Sequence, residues 1–150
     1  MGAAQLLQTL PVAPQFCALA VECPFSTYRE TVYDRMGQPF HLGPWVGRTI
    51  LWPAVESAFL YARWQYGLDM EKVSPEDAVA VSKVPVLLIH GQSDTNIPLR
   101  HSIRIVERRK DVALWKVPNT GHSNAIDTAP QELQTRLISW FEQRANGQLH

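Results

Sequence analysis

Two short, uninterrupted apolar runs constrain the fold of this chain most strongly. One leads from Val84 to His90 and the other from Val112 to Val117, and turn-forming residues bound both. Continuous apolar runs of this length are typical of strands covered on both faces, as in a parallel sheet. A helical segment from Pro98 to about Arg109 separates the two runs. The sequence therefore predicts a right-handed βαβ unit with helices on both faces of the sheet.

The same alternation extends through the rest of the chain. An earlier strand is predicted at residues 16–21. Further helices are predicted at about residues 3–10, 27–36 and 54–66, after Ser74, and from Pro130 onward. The predicted fold class is α/β, with a parallel sheet of about three strands flanked by helices. Residues 1–150 are expected to form a single domain, since a chain of this length fits one.

Composition argues against several classes of function. The chain has 14 Lys and Arg residues against 14 Asp and Glu, so no net field attracts nucleic acid. No apolar stretch is long enough to cross a membrane, and residues 1–10 lack a secretory signal, so the expected location is cytoplasmic. The sequence has neither a Gly-rich phosphate loop nor a metal-ligand spacing of His residues, so no cofactor and no metal are expected.

The two cysteines are predicted to be free. Cys17 and Cys23 lie within or beside the first apolar run, and on one strand they would be too far apart to form a disulfide. Two free buried thiols are a simpler interpretation than a redox or metal site.

Asp94 and His122 are the candidate catalytic residues. Asp94 follows the Gly91 that ends the second predicted strand, and His122 follows Gly121 after the third. Parallel α/β sheets bind ligands outside the carboxyl ends of their strands, where both residues fall. A carboxylate there can accept a hydrogen bond from one imidazole nitrogen and so leave the other nitrogen free to act as a general base. Either residue alone is more simply a turn or loop residue, but their matching positions favour the paired interpretation.

Three motifs, in order, resemble the C-terminal half of an α/β-hydrolase. Val84 to Asp94 resembles the strand that leads into the triad acid, and Gly121-His122 resembles the triad histidine. The stretch from Val21 to Glu30 resembles the segment after the sixth strand in the branch of serine aminopeptidase-like (peptidase S33-like), esterase-like and depalmitoylase-like hydrolases. The resemblance implies that Asp94 orients and His122 shuttles a proton in a Ser-His-Asp triad.

The nucleophile of that triad is missing from the sequence. No G-x-S-x-G elbow is present, and Ser26, Ser93 and Ser123 are predicted as loop or cap residues. The resemblance aligns Met1-Gly2-Ala3 with the residues that follow the nucleophile, so the serine is expected immediately upstream of Met1. Met1 would then be an oxyanion-hole donor in a longer parent. The 150 residues alone are expected to be inactive, because a triad without its nucleophile loses covalent catalysis. Losing one oxyanion donor alone costs about 10²- to 10³-fold in rate.

Residues 37–67 are a possible cap or lid insertion. Trp45, Trp52 and Trp64 in this segment could line a substrate pocket for an acyl or aromatic group. Ordinary packing of a helix on the sheet explains the same aromatic residues equally well.

The leading hypothesis is the C-terminal part of a serine hydrolase that cleaves ester, thioester or amide bonds of small-molecule substrates. The alternative is a non-catalytic binding or assembly module that retains the hydrolase sheet. In either case the first strand would lack a neighbour on one side. The chain is therefore expected to be poorly soluble or to pair with the missing N-terminal half.

Overall fold

Three parallel strands form the centre of the molecule. The computed structural model describes residues 2–13, 15–36, 38 and 45–146. The strands are β1 (Leu19–Glu22), β2 (Val86–Gly91) and β3 (Ala113–Val117), in the order β1-β2-β3. This confirms the predicted parallel sheet of about three strands. Within the described residues β1 pairs with β2 alone, so its other edge has no neighbour.

β1 begins later and ends later than the predicted strand at residues 16–21. Its first backbone bond to the β2 side runs from the Leu19 N–H to the Pro85 carbonyl oxygen at 2.9 Å. Cys17 precedes the strand and is exposed, whereas Cys23 follows it and is buried. Both thiols are free, as predicted, but the expectation that Cys17 is buried is wrong. The later end of β1 places Cys23 at the carboxyl edge of the sheet.

Helices cover both faces of the sheet. In chain order they are α1 (Gly2–Thr9), α2 (Tyr28–Met36), α3 (Trp45–Arg48), α4 (Trp52–Tyr66), α5 (Pro75–Val81), α6 (Arg100–Arg108), α7 (Ala125–Thr128) and α8 (Pro130–Asn146). A 3-10 turn at Met70–Lys72 precedes α5. The short helices α3 and α7 were not predicted from the sequence.

Two apolar layers hold the helices against the strands. On one face, residues of α1, α5 and α6 such as Leu7, Val79 and Ile105 pack on Leu88 of β2. On the other face, Leu133 and Trp140 of α8 pack on β2 and β3 residues, including Leu87, Ile89, Trp115 and Val117. Because β2 is buried along its whole length, it takes the continuous apolar sequence from which the fold was predicted.

Local signals explain where several helices begin and end. The Thr27 hydroxyl accepts the N–H of Glu30 at 3.2 Å at the start of α2, and Ser74 accepts the N–H of Asp77 at the start of α5. Gly67 ends α4 in the left-handed conformation, with φ of 66°. α4 packs against α2, α3 and the Met70–Lys72 turn and buries little besides Val55.

None of the helices in the described part of the chain is both long enough and apolar enough to cross a membrane.

Candidate active site

Asp94 and His122 meet at the carboxyl edge of the sheet. Asp94 lies in the loop after β2 and His122 in the loop after β3, and the Asp94 Oδ2 lies 2.7 Å from the His122 Nδ1. The carboxylate can only accept when ionised, so Nδ1 carries the proton and donates to it. No hydrogen bond joins the His122 Nε2 to another residue that the structure describes. With 33% of its side chain exposed, His122 can present Nε2 to a substrate.

Asp94 is held in place by its own loop and kept ionised by its hydrogen-bond partners. Its Oδ1 accepts the backbone N–H groups of Asn96 and Ile97, both at 2.9 Å, which leaves Oδ2 for His122. Burial alone would raise the pKa of Asp94. The Ile97 N–H, the His122 ring and the Cys23 thiol outweigh burial and hold the pKa of Asp94 below its usual value. Asp94 is therefore a fully charged acceptor at neutral pH.

The two loops are held together by backbone contacts. Gln92 donates its N–H to the Val117 carbonyl and Ser93 donates to the Thr120 carbonyl, both at 2.9 Å. A Cβ at Gly91 would lie 2.4 Å from the carbonyl oxygens of both Thr120 and Gly121. Only glycine fits at such a close approach. The Gly91 that ended the predicted strand thus allows the His122 loop to close over β2.

Cys23 is a member of this site that sequence analysis missed. Its Sγ, an Asp94 oxygen and a His122 nitrogen all lie within 4.8 Å of one another. The Sγ also accepts the N–H of Ser123 at 3.5 Å. Burial raises the pKa of Cys23 to about 11, against the opposing effect of the Gly91 and Ser123 N–H groups. Cys23 is therefore a neutral thiol beside the acid and the histidine.

A cavity of about 280 Å³ opens beside His122. Ala4 of α1 lines it together with His122, Cys23, Asn96 and Ile97, and Phe25, Thr31 and Arg35 complete the lining. The first turn of α1 therefore faces the same space as the candidate base.

His90, at the end of β2, has a structural role. It is fully buried, its Nε2 lies 2.8 Å from the Ile97 carbonyl oxygen, and its Nδ1 lies 2.7 Å from the Ser102 hydroxyl. A carbonyl can only accept, so Nε2 carries the proton and Nδ1 accepts from Ser102. Burial lowers the pKa of His90 despite the nearby Asp94 charge, so the ring is neutral.

Ser26, His101 and Asp34 form a buried hydrogen-bonded chain that does not line this cavity. The Ser26 hydroxyl lies 2.9 Å from the His101 Nδ1, and the His101 Nε2 lies 2.9 Å from the Asp34 Oδ2. The Ser26 N–H also donates to the His101 Nδ1, so Nδ1 accepts and Nε2–H donates to Asp34. All three side chains are fully buried, so no substrate reaches this Ser26. The arrangement braces α2 against α6.

The sequence model of the prolyl oligopeptidase family, Peptidase S9, matches residues 46–148. The chain belongs to the prolyl oligopeptidase family. This membership agrees with the α/β-hydrolase resemblance drawn from the motifs around Asp94 and His122. The finer S33-like expectation stays a prediction.

Three proteins that resemble this family member are each longer than it. The uncharacterized protein YqkD of Bacillus subtilis is 26% identical over 103 residues, which are 68% of this chain and 32% of YqkD. An esterase structure from Pyrococcus furiosus matches 97% of the chain and 51% of its own length, with a TM-score of 0.65 and 21% identity. A Pyrococcus horikoshii acylaminoacyl peptidase matches 95% of the chain and 22% of its own length, with a TM-score of 0.62 and 20% identity.

These likenesses establish the fold of this family member. At such identities the activities named for the two archaeal enzymes belong to those enzymes. The chain spans about half of the esterase and a third of YqkD.

The structure does not bring the three predicted tryptophans to the cavity beside His122, and it does not describe Met1. Met1, the expected oxyanion-hole donor, lies outside the described residues, as do residues 37 and 39–44 of the possible cap. Trp45, Trp52 and Trp64 are 57%, 51% and 78% exposed. None of the three tryptophans is among the residues that line the cavity beside His122.

Proposed function

We propose that this chain supplies the acid and the base of a Ser-His-Asp triad that cleaves ester, thioester or amide bonds. The observation that carries the proposal is the 2.7 Å hydrogen bond between Asp94 and His122 beside an open cavity. Asp94 fixes the tautomer of His122. The Nε2 of His122 then takes the proton of the nucleophile and returns it to the leaving group.

The nucleophile would be a serine placed just before α1. In support, Ala4 in the first turn of α1 lines the cavity that His122 also lines. In the part of the chain that the structure describes, no serine hydroxyl hydrogen-bonds with His122. Met1 would then provide one oxyanion-hole N–H to the longer protein. On this proposal the 150 residues alone do not turn over substrate.

Residues 37–67 would form a cap over the substrate site, with Trp45, Trp52 and Trp64 as apolar contacts. The aromatic surface of α4 supports this proposal, because it is exposed and available to a substrate or to another part of a longer chain. Small-molecule esters or amides and a cytoplasmic location stay predictions.

The decisive experiment compares the chain alone with the chain extended by an N-terminal half carrying the G-x-S motif. Hydrolysis of an aryl ester is expected only from the extended protein. His122→Ala and Asp94→Asn should each lower kcat by about 10⁴-fold, and Asp111→Asn, at an exposed carboxylate, should leave it unchanged. Full activity in both triad variants would disprove the assignment of the acid and base. Hydrolysis by the 150 residues alone that His122→Ala abolishes would disprove their predicted inactivity.

A non-catalytic assembly module is the alternative function, and the unpaired edge of β1 favours it. The coding sequence upstream of the Met1 codon separates the two functions. An in-frame G-x-S just before Met1 supports the hydrolase, whereas stop codons without that motif support the module.

A further inference from the structure

We propose that Cys23, Asp94 and His122 form a binding site for a borderline-soft divalent cation such as Zn²⁺. The inference rests on the geometry of the three side chains and not on the proposed hydrolase function. Metal binding at this place would occupy the pair Asp94 and His122 and so would block, reversibly, any proton transfer by His122.

The three side chains lie close enough together to share one ion. One ligand atom from each side chain lies within 4.8 Å of the other two. In a tetrahedral zinc site with bonds of about 2.0–2.3 Å, ligand atoms lie roughly 3.3–3.7 Å apart. Side-chain rotations that move each ligand atom by about 1 Å are therefore enough to place all three atoms around one ion.

The fold already brings the three side chains together before any ion binds. They follow the carboxyl ends of three adjacent parallel strands, β1, β2 and β3. The Cys23 N–H donates to the Ile89 carbonyl at 2.8 Å, and the Asp94 carboxylate is held by two backbone N–H groups of its own loop. A site preorganised in this way loses little conformational entropy when a ligand binds.

The ligand atoms of the three side chains suit zinc better than magnesium or calcium. A thiolate, an imidazole and a carboxylate are a typical donor set for Zn²⁺, whereas Mg²⁺ and Ca²⁺ prefer oxygen ligands alone. Coordination forms the metal–sulfur bond and transfers the thiol proton to solvent, with no change of oxidation state. If the His122 Nδ1 is the ligand, its proton leaves to solvent and Nε2 takes one up, so the imidazole stays neutral and the metal replaces the hydrogen bond to Asp94. Arg35 lines the cavity and opposes a cation, but the carboxylate and thiolate together carry twice its charge.

The site is accessible from the cavity beside His122. Cys23 and His122 both line the cavity of about 280 Å³, and His122 is partly exposed. The cavity admits a hydrated ion and leaves room for a water molecule as the fourth ligand of a tetrahedral site.

Titration of the 150-residue chain with Co²⁺ and Cd²⁺ tests the site, since metal–thiolate bonds give charge-transfer absorption. We expect a saturable band with one equivalent of metal, displaced by Zn²⁺. Cys23→Ala should abolish the band, and the matched variant Cys17→Ala, at the exposed cysteine, should keep it. Asp94→Asn and His122→Ala should each weaken affinity by at least about tenfold, because loss of even an outer partner costs that much.

A band that survives in Cys23→Ala, or one that is lost in Cys17→Ala, would overturn the proposal. So would the absence of a saturable band in the wild-type chain. Circular dichroism shows whether each variant is folded. If Cys23→Ala does not fold, the nearly isosteric Cys23→Ser decides instead, because a hydroxyl gives no metal–thiolate band. None of these measurements depends on hydrolysis, so failure of the metal site and failure of the proposed function are separate results.

Discussion

Gly91 has no side chain, and this allows the two candidate catalytic residues, Asp94 and His122, to meet. Gly91 ends β2, and the loop that carries His122 crosses directly over it, with two carbonyl oxygens 2.4 Å from the place of a Cβ. Gly121 lies in the same loop, but a Cβ there would meet no heavy atom within 4 Å. Gly91 and Gly121, one from each of the two motifs, therefore have different physical roles.

This difference gives a test with an internal control. Gly91→Ala should destabilise the chain by about 1–3 kcal/mol, since the His122 loop must move away to admit the methyl group. Gly121→Ala should stay within about 0.5 kcal/mol of wild type. Urea unfolding measures both. Equal stability of the two variants would contradict the close approach at Gly91.

At the scale of secondary-structure elements, Asp34 joins α2 to α6. It accepts from His101 and Arg100 of α6 and from Arg48 of α3, and it is fully buried. Burial alone would raise the pKa of Asp34, but the hydrogen bonds from His101, Arg48 and Arg100 outweigh it. They hold the pKa of this carboxyl well below its usual range.

Removing this charge should have two effects. Asp34→Asn should cost about 3–5 kcal/mol, because it removes the buried charge that Arg48, Arg100 and the buried His101 all contact. Since the folded pKa of Asp34 is depressed, its stabilisation is complete above the unfolded value of about 3.9 and is lost as pH falls through the folded value. Unfolding at a series of acidic pH values should therefore show a flatter acid dependence in Asp34→Asn. Asp127→Asn, at an exposed carboxylate, is the control and should resemble wild type.

The sequence predicted the elements better than the contacts between them. Continuous apolar runs predicted the positions of β2 and β3, and glycines predicted where the site loops begin. Both are local signals. The link between Ser26 and His101 joins residues 75 positions apart, and the link between His101 and Asp34 spans 67. No local pattern encodes such pairs. Cys23 was missed for a related reason, because its approach to Asp94 depends on where β1 ends.

At the scale of the whole molecule, the sheet has one unpaired edge in the part that the structure describes. Leu19 and Cys23 of the β1 segment donate their N–H groups to the β2 side, at the Pro85 and Ile89 carbonyls. N–H groups of alternate residues point to opposite sides of a strand in a parallel sheet, so the Ala20 N–H faces the free edge. An open edge of this kind favours pairing with another strand.

Substitution by proline can therefore separate the two sides of β1. We expect the 150-residue chain to self-associate at micromolar concentration, as measured by sedimentation velocity. Ala20→Pro removes an N–H from the free edge only and should shift the chain toward monomer without unfolding it. Val21→Pro instead removes an N–H from the β2 side and should destabilise the sheet itself. A wild-type chain that sediments as a stable monomer would show that the edge of β1 does not recruit a partner, and would weaken the case for pairing with an N-terminal half.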